Sequence, residues 1–160
     1  MTQVVDAIMN AKLYSDAGGR VIYTESHDTV PKDRQGRIPA AVLRGYQDNW
    51  VACEEVENNF FSFKRTSLSF AVLMTSVGVP MVLQGQEIFE TCCPPWPIGP
   101  VVDKSRLDRK SGSGFFRLAQ ALCTLRRNTD NFSAGLTGKF TRAFHINNIL
   151  HRVSFQFFDF

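Results

Sequence analysis

The chain has 160 residues, of which 44% are hydrophobic and 21% charged, with a formal net charge of +3 and a pI near 8.8. That balance is ordinary for one globular domain and excludes a disordered, fibrous or strongly basic nucleic-acid-binding chain. No apolar run approaches the roughly 18 residues of a membrane span, because Leu68–Leu83 is broken by Ser, Thr, Gly and Pro, and the Met1 end lacks a basic region followed by an apolar core.

Val4, Val5, Ile8 and Leu13 predict a short helix that Gly18-Gly19 ends. Val21-Ile22-Tyr23 predicts a strand, which stops abruptly in Thr24-Glu25-Ser26-His27-Asp28. Buried parallel strands read as continuous apolar runs and gather ligands beyond their carboxyl ends, so this polar tail is the first place to look for a site. The polar stretch from Thr29 through Lys32-Asp33-Arg34-Gln35-Gly36-Arg37 to about Asn58 reads as a long loop, of a length more often functional than filler.

Phe60, Phe63, Ser67, Phe70, Ala71, Met74 and Val77 step by threes and fours, which predicts a helix over 60–77 that buries this face. Asn58 or Asn59 can cap its start, and Gly78 can supply a left-handed residue after its end. Val79–Leu83 predicts a second buried strand, with Pro80 tolerated at its beginning, and it too ends in polar residues, Gln84-Gly85-Gln86-Glu87. The two strands and the helix between them form a right-handed βαβ unit with both tails on one edge of the sheet.

Pro94, Pro95, Pro97 and Pro100 around Trp96 predict an irregular loop over Thr91–Lys110. A second amphipathic helix places Phe115, Leu118, Leu122 and Leu125 on one face and ends in Arg126-Arg127-Asn128, where basic side chains suit the helix dipole. Alternation in Phe140–Ile146 and Val153–Phe157 about Asn147-Asn148 predicts a hairpin, with His145 and His151 as ordinary strand residues. Cys53, Cys92, Cys93 and Cys123 show no Cys-x-x-Cys spacing and no histidine at zinc-ligand distance. They are expected as free thiols in a reducing compartment, the cytoplasm or a plastid, with no metal site and no cofactor.

Adjacent strands lie roughly 4.8 Å apart, which would set Asp28 and Glu87 at neighbouring strand ends about 5–8 Å from each other. Such a pair suits the acid and nucleophile of a glycosidase; a surface or loop-anchoring role for both is the competing reading. His27 reads as a general base or as a neutral hydrogen-bond donor to a polar ligand. There is no Gly-x-Ser-x-Gly elbow and no glycine-rich phosphate loop.

Arg20–Asp28 (Arg-Val-Ile-Tyr-Thr-Glu-Ser-His-Asp), Phe61–Arg65 and Val77–Glu87 together resemble the α-amylase superfamily of glycoside hydrolases and transglycosylases, with wording closest to the 1,4-α-glucan branching enzymes. The likeness runs from about Ala17 to Phe160 and takes in Leu125-Arg126-Arg127-Asn128 and Gly135-Leu136-Thr137-Gly138, the latter similar to the start of the family's C-terminal β domain. It implies an α/β fold: the last two β/α units of a (β/α)8 TIM barrel over residues 1–130, then the first strands of an all-β sandwich over 131–160. On this alignment Val21 opens the seventh strand and Val79 the eighth. A whole barrel takes roughly 250 residues, so the chain is expected to be a C-terminal piece of one.

The resemblance also implies roles. Asp28 matches the third family carboxylate, which binds sugar hydroxyls and stabilises the oxocarbenium-like transition state. His27 matches the histidine that bonds the same sugar, and Glu87 belongs to a motif that shapes the substrate cleft. No residue matches the nucleophilic Asp or the acid/base Glu, so the acid–nucleophile pairing of Asp28 with Glu87 gives way to sugar binding. The whole enzyme would cleave an α-1,4 bond with retention, through a covalent glucosyl intermediate, and pass the chain to a 6-hydroxyl; this chain alone is expected to be inactive. The expected partner is an α-glucan such as glycogen, amylose or amylopectin, with neither nucleic acid nor membrane. Branching enzymes usually continue from His-Asp with Glu-Val-Ala-Asn-Gly, where this chain reads Thr29-Val30-Pro31-Lys32-Asp33, and Cys92-Cys93-Pro94-Pro95 and Ser111-Gly112-Ser113-Gly114 also depart from the pattern. The alternatives are therefore a non-catalytic glucan-binding or partner-dependent barrel fragment, and an α-amylase-type hydrolase.

Overall fold

The computed structural model describes residues 20–30, 36–44, 53–76, 78–92, 102–128, 140–147 and 152–158. The expected helix over Val4–Leu13, the proline-rich stretch around Trp96 and Gly135–Gly138 lie outside the described residues. The elements run β1 (Val21–Ile22), α1 (Ile38–Arg44), α2 (Cys53–Asn58), α3 (Phe60–Thr75), β2 (Val79–Pro80), α4 (Lys110–Arg127), β3 (Phe140–Asn147) and β4 (Arg152–Phe158). Short 3-10 helices form at Gln86–Ile88 and Lys104–Asp108. The chain divides into two compact units, one built from Tyr23–Leu73 and Val82–Ala121, the other from the described parts of Met1–Ile22, Met74–Met81 and Leu122–Phe160.

In the latter unit β1 and β2 pair in parallel, in the register Val21↔Val79 and Ile22↔Pro80. Val79 N–H donates to Arg20 O at 2.7 Å and Met81 N–H to Ile22 O at 2.8 Å. The pairing is the one the sequence predicts, but the burial is not. Ile22 is buried, whereas Val21 is 58% exposed and Val79 48%, because no third strand joins this sheet among the described residues. Gly78 enters β2 with φ 125°, and a β-carbon there would lie 2.8 Å from Arg20 O, so the position requires glycine. The Arg126 guanidinium, from the last turn of α4, gathers carbonyls at and just beyond the end of α3. Its Nη1 donates to Met74 O (2.8 Å) and Ser76 O (3.0 Å), and its Nη2 to Gly78 O. Asn128, at φ 51°, ends α4 in the left-handed conformation. Strands β3 and β4 form the expected antiparallel hairpin, with one register shift between Ala143 and His145; His151 lies outside the described residues.

The unit containing Tyr23–Leu73 is organised around phenylalanines. Phe115 is fully buried, and its ring centroid lies 5.3 Å from Phe70, 5.6 Å from Phe89 and 6.1 Å from Phe63. Asn59 caps α3, its Oδ1 accepting from Phe61 N–H (2.9 Å) and Ser62 N–H (3.0 Å). The buried positions of α3 are Ser62, Thr66, Phe70, Leu73 and Met74; Phe70 and Met74 belong to the predicted stripe, whereas Phe60 is 65% exposed. Ser62 Oγ donates to Pro39 O at 2.7 Å, so the face that meets α1 needs a small hydroxyl and not a ring. On α4 the buried positions are Gly112, Phe115 and Ala119, and a β-carbon at residue 112 would collide with the Arg106 carbonyl.

Three further expectations change. The predicted loop after Asp28 holds α1, which carries Pro39 in its first turn where no amide donor is needed, and α2, whose Glu54 and Glu55 suit its positive end. The predicted irregular loop over Thr91–Lys110 holds the 3-10 helix Lys104–Asp108, which Asp103 caps by accepting from Ser105 N–H at 3.0 Å. Cys53 and Cys92, expected as free thiols, form a disulfide with Cα atoms 5.6 Å apart, within ordinary bridging distance; Cys123 is free and exposed. No helix among the described residues is long and apolar enough to cross a membrane.

Candidate functional site

Two polar tails, Thr24–Val30 and Gln84–Glu90, make the site, and both lie within the unit built from Tyr23–Leu73 and Val82–Ala121. In the first, Thr29 N–H and Val30 N–H each donate to Ser26 O at 3.1 Å, and Ser26 N–H donates to Thr29 Oγ1 at 2.9 Å. The chain therefore turns tightly with His27 and Asp28 at its tip, anchored by buried Glu25 and Ser26 on one side and Val30 on the other. His27 Nε2 lies 3.3 Å from Asp28 Oδ1, and both side chains are 75% exposed. A carboxylate acceptor beside an imidazole, both on a pinned turn in solvent, suits a hydroxyl-rich ligand.

Glu25 turns inward. Its Oε2 accepts from Arg37 Nη1 at 2.6 Å and its Oε1 from Ile38 N–H at 2.5 Å. Burial pushes the Glu25 carboxyl above its ordinary value, and the charge of Arg37 with the bonds from Ile38 and Arg37 offsets part of that shift. The second amino group of Arg37 donates to Gln84 O at 2.7 Å.

The second tail turns at Gly85, with φ 86°. A β-carbon there would lie 2.9 Å from Arg37 Nη2 and 3.0 Å from Glu90 Cβ. Ile88 N–H (3.2 Å) and Glu90 N–H (2.9 Å) both donate to Gly85 O. Phe89 takes a left-handed φ of 60°, an uncommon state for a bulky residue, which its buried ring against Phe63 and Phe115 holds in place. Gln86 is buried, accepts from Leu83 N–H at 3.3 Å and donates to Thr24 Oγ1 at 2.7 Å. Glu87 sits half-buried in this turn.

The two tails are thus cross-linked twice, by Arg37 to Gln84 O and by Gln86 to Thr24. His27 and Asp28 are brought together; no hydrogen bond or ion pair joins Glu87 to either among the described residues. The far end of the second tail is rooted separately. Arg106 Nη2 lies 2.9 Å from Glu90 Oε1 and its Nη1 3.1 Å from Glu57 Oε2, while Thr91, Cys92 and Asp103 N–H groups also bond Glu90. No group of three or more His, Cys, Asp or Glu among the described residues is placed to hold a metal ion.

Neither a family model, nor a curated protein, nor a solved structure matches the chain. The site therefore stands on its own geometry and on the motifs quoted above. Its supporting residues Glu25, Arg37, Gln84 and Gln86 are not among the candidates that the sequence singled out. Position alone marks three of them, since Thr24-Glu25 and Gln84-Gly85-Gln86 follow directly on apolar strands; Arg37 lies in the stretch read as a loop and carries no such mark.

Proposed function

We propose that the chain is part of an α-glucan-active enzyme of the α-amylase kind, closest to a 1,4-α-glucan branching enzyme, and that its own contribution is to hold the sugar. Asp28 accepts hydrogen bonds from sugar hydroxyls and stabilises positive charge on the reacting ring, His27 donates to the same sugar, and Glu87 shapes the wall of the cleft. The observation that carries the reading is the pinned turn: buried anchors on both sides present adjacent His27 and Asp28 side chains to solvent. Such rigidity is what a binding site for a flexible polyhydroxyl chain needs.

Titration calorimetry with maltoheptaose tests it. The chain binds the oligosaccharide, and Asp28→Asn weakens binding at least tenfold with an unchanged melting temperature; equal affinity for the variant would sink the role of Asp28. The chain neither cleaves nor branches amylose, since it carries no counterpart of the nucleophile or the acid/base, and a change in iodine staining or reducing ends would overturn that part. In a version that contains both groups, Asp28→Asn lowers turnover by several orders of magnitude.

A second reading, a partner-dependent sheet fragment, is favoured by one observation. Val21 and Val79 expose apolar surface on a sheet that has two strands among the described residues, where parallel sheets are ordinarily covered on both faces.

A further inference from the structure

A buried ion pair is a poor source of stability. Taking both charges out of water costs several kcal/mol per ion, and an apolar pair of similar size is often as stable or more so. Glu25 and Arg37 are almost wholly buried nonetheless, at 1% and 0% side-chain exposure. The raised pKa of Glu25 fits that accounting, because desolvation outweighs the attraction of Arg37. Geometry gives the pair a different use. Glu25 stands two residues before His27 and three before Asp28, and the carbonyl that Arg37 binds, Gln84 O, stands three residues before Glu87.

We propose that the Glu25–Arg37 pair is a positioning clamp, which fixes the His27–Asp28 turn and the Glu87 turn in one relation so that both meet the same ligand. Arg37 is a positioning residue: it touches neither turn's tip and acts through Glu25 and Gln84. One guanidinium serves both, with Nη1 on the carboxylate at 2.6 Å and Nη2 on the carbonyl at 2.7 Å. The planar fork matters here. A lysine ammonium carries the same charge on one nitrogen and cannot hold two acceptors at the separation a guanidinium spans. Glycine at position 85 lets the fork approach, since any side chain there would meet Arg37 Nη2. Gln86 to Thr24 is a second, neutral link between the same two turns. The sugar-binding part of this inference rests on the α-glucan reading above; the coupling of the two turns does not.

The test uses the full chain with Arg37→Lys, which keeps the charge, beside Gln86→Met, which cuts the neutral link and the Leu83 N–H bond and leaves the clamp in place. Amide hydrogen exchange reads the turns directly. With Arg37→Lys, exchange rises at least tenfold at residues 26–30 and at 84–88 together, while amides in the middle of α4 keep their rates. A rise in one turn only, or in neither, overturns the clamp; a uniform rise along the chain also overturns it, because that is loss of fold. Gln86→Met gives a smaller rise, again in both turns.

Calorimetry with maltoheptaose then separates the two ideas. Arg37→Lys weakens binding at least fivefold at a temperature well below the unfolding of both chains, the variant's melting temperature falling by only the few degrees that one lost buried hydrogen bond accounts for. If exchange couples the turns but affinity stays constant, the clamp is structural only and its positioning role is overturned. If the parent chain does not bind the sugar while exchange in the two turns rises together, the α-glucan reading fails and the coupling stands.

Discussion

Two clusters of buried charge lie in the unit built from Tyr23–Leu73 and Val82–Ala121, and they are balanced differently. Glu25 and Arg37 match one to one, and the second amino group of the guanidinium donates to a backbone carbonyl. In the other cluster Arg106 stands between two carboxylates, Glu57 and Glu90, and Arg109 bonds Glu57 from a position 46% exposed. The first cluster joins two turns that carry polar side chains out to solvent. The second joins α2, the chain after Phe89 and the 3-10 helix Lys104–Asp108, all of them scaffold. The difference teaches that burial of charge alone does not mark a functional site; what the cluster holds does.

Breaking each cluster at its arginine gives the largest effects and ranks them. Arg106→Met takes the shared cation from two carboxylates, leaving Glu57 with half-exposed Arg109 and Ser111 and leaving Glu90 with the amides of Thr91, Cys92 and Asp103 alone, and the loss is expected toward the top of the range of about 3–5 kcal/mol for an orphaned buried charge. Arg37→Met orphans one carboxylate, which retains the Ile38 amide, and belongs at the lower end of about 3–5 kcal/mol. Both are large against a total of about 5–15 kcal/mol for a domain. Urea unfolding measures the pair. Equal losses would mean that Glu57 and Glu90 have found other partners, and the contrast between a matched pair and a shared arginine would be gone.

The disulfide sharpens the same contrast from the scaffold side. Cys53 precedes Glu57 by one helical turn on α2, and Cys92 follows Glu90 by two residues, so the bridge ties together the two elements whose carboxylates share Arg106. Its 39-residue separation corresponds to a loop-closure contribution of about 4 kcal/mol in the chain-entropy account, and measured losses run about 2–5 kcal/mol. A dithiol reductant should lower the melting temperature of the parent chain and leave Cys53→Ser/Cys92→Ser, already lowered, where it is. It should also raise amide exchange around Thr91 more than at residues 26–30. If the His27–Asp28 turn responds as strongly as the Thr91 segment, the two clusters are one mechanical unit.

Periodicity made helices α3 and α4 and the β3–β4 hairpin legible in the sequence, because each repeats its spacing over enough residues to be read. It placed Phe70 and Met74 correctly on the buried face of α3 and misplaced the start of that face, since apolar character assigns Phe60 to the interior and Ser62 to the surface. The choice in fact turns on what faces the helix, and Pro39 O offers an acceptor to a hydroxyl. Helix α1 was hidden by the charges around it, of which Arg37 is buried and paired. The Cys53–Cys92 bridge has no spacing signature at all; only tertiary proximity makes it. At the site, His27 and Asp28 were visible because two ionisable residues end an apolar run. Glu25 and Arg37 were not, because a buried pair leaves no periodic mark and its members are 12 residues apart.

The smallest effect is the dependence of stability on pH that Glu25 contributes. Its folded pKa lies above its ordinary value of 4.5, chiefly through burial. Between those two values the folded chain holds a proton on Glu25 that the unfolded chain has released, so this group's contribution to stability is full below 4.5 and declines as pH rises through the folded value. Glu25→Gln removes the titration. Glutamine offers one carbonyl oxygen where the carboxylate offers two, so the variant is weaker throughout, but its stability no longer falls over that interval. The measurement is the difference between the parent and variant curves of unfolding free energy against pH, which cancels every other titrating group. A difference that stays constant across the interval would mean that Arg37 and the Ile38 amide fully offset the burial of Glu25. A difference that narrows as pH rises is the expected sign, and it would leave the matched pair weakest as a source of stability where it is fully charged.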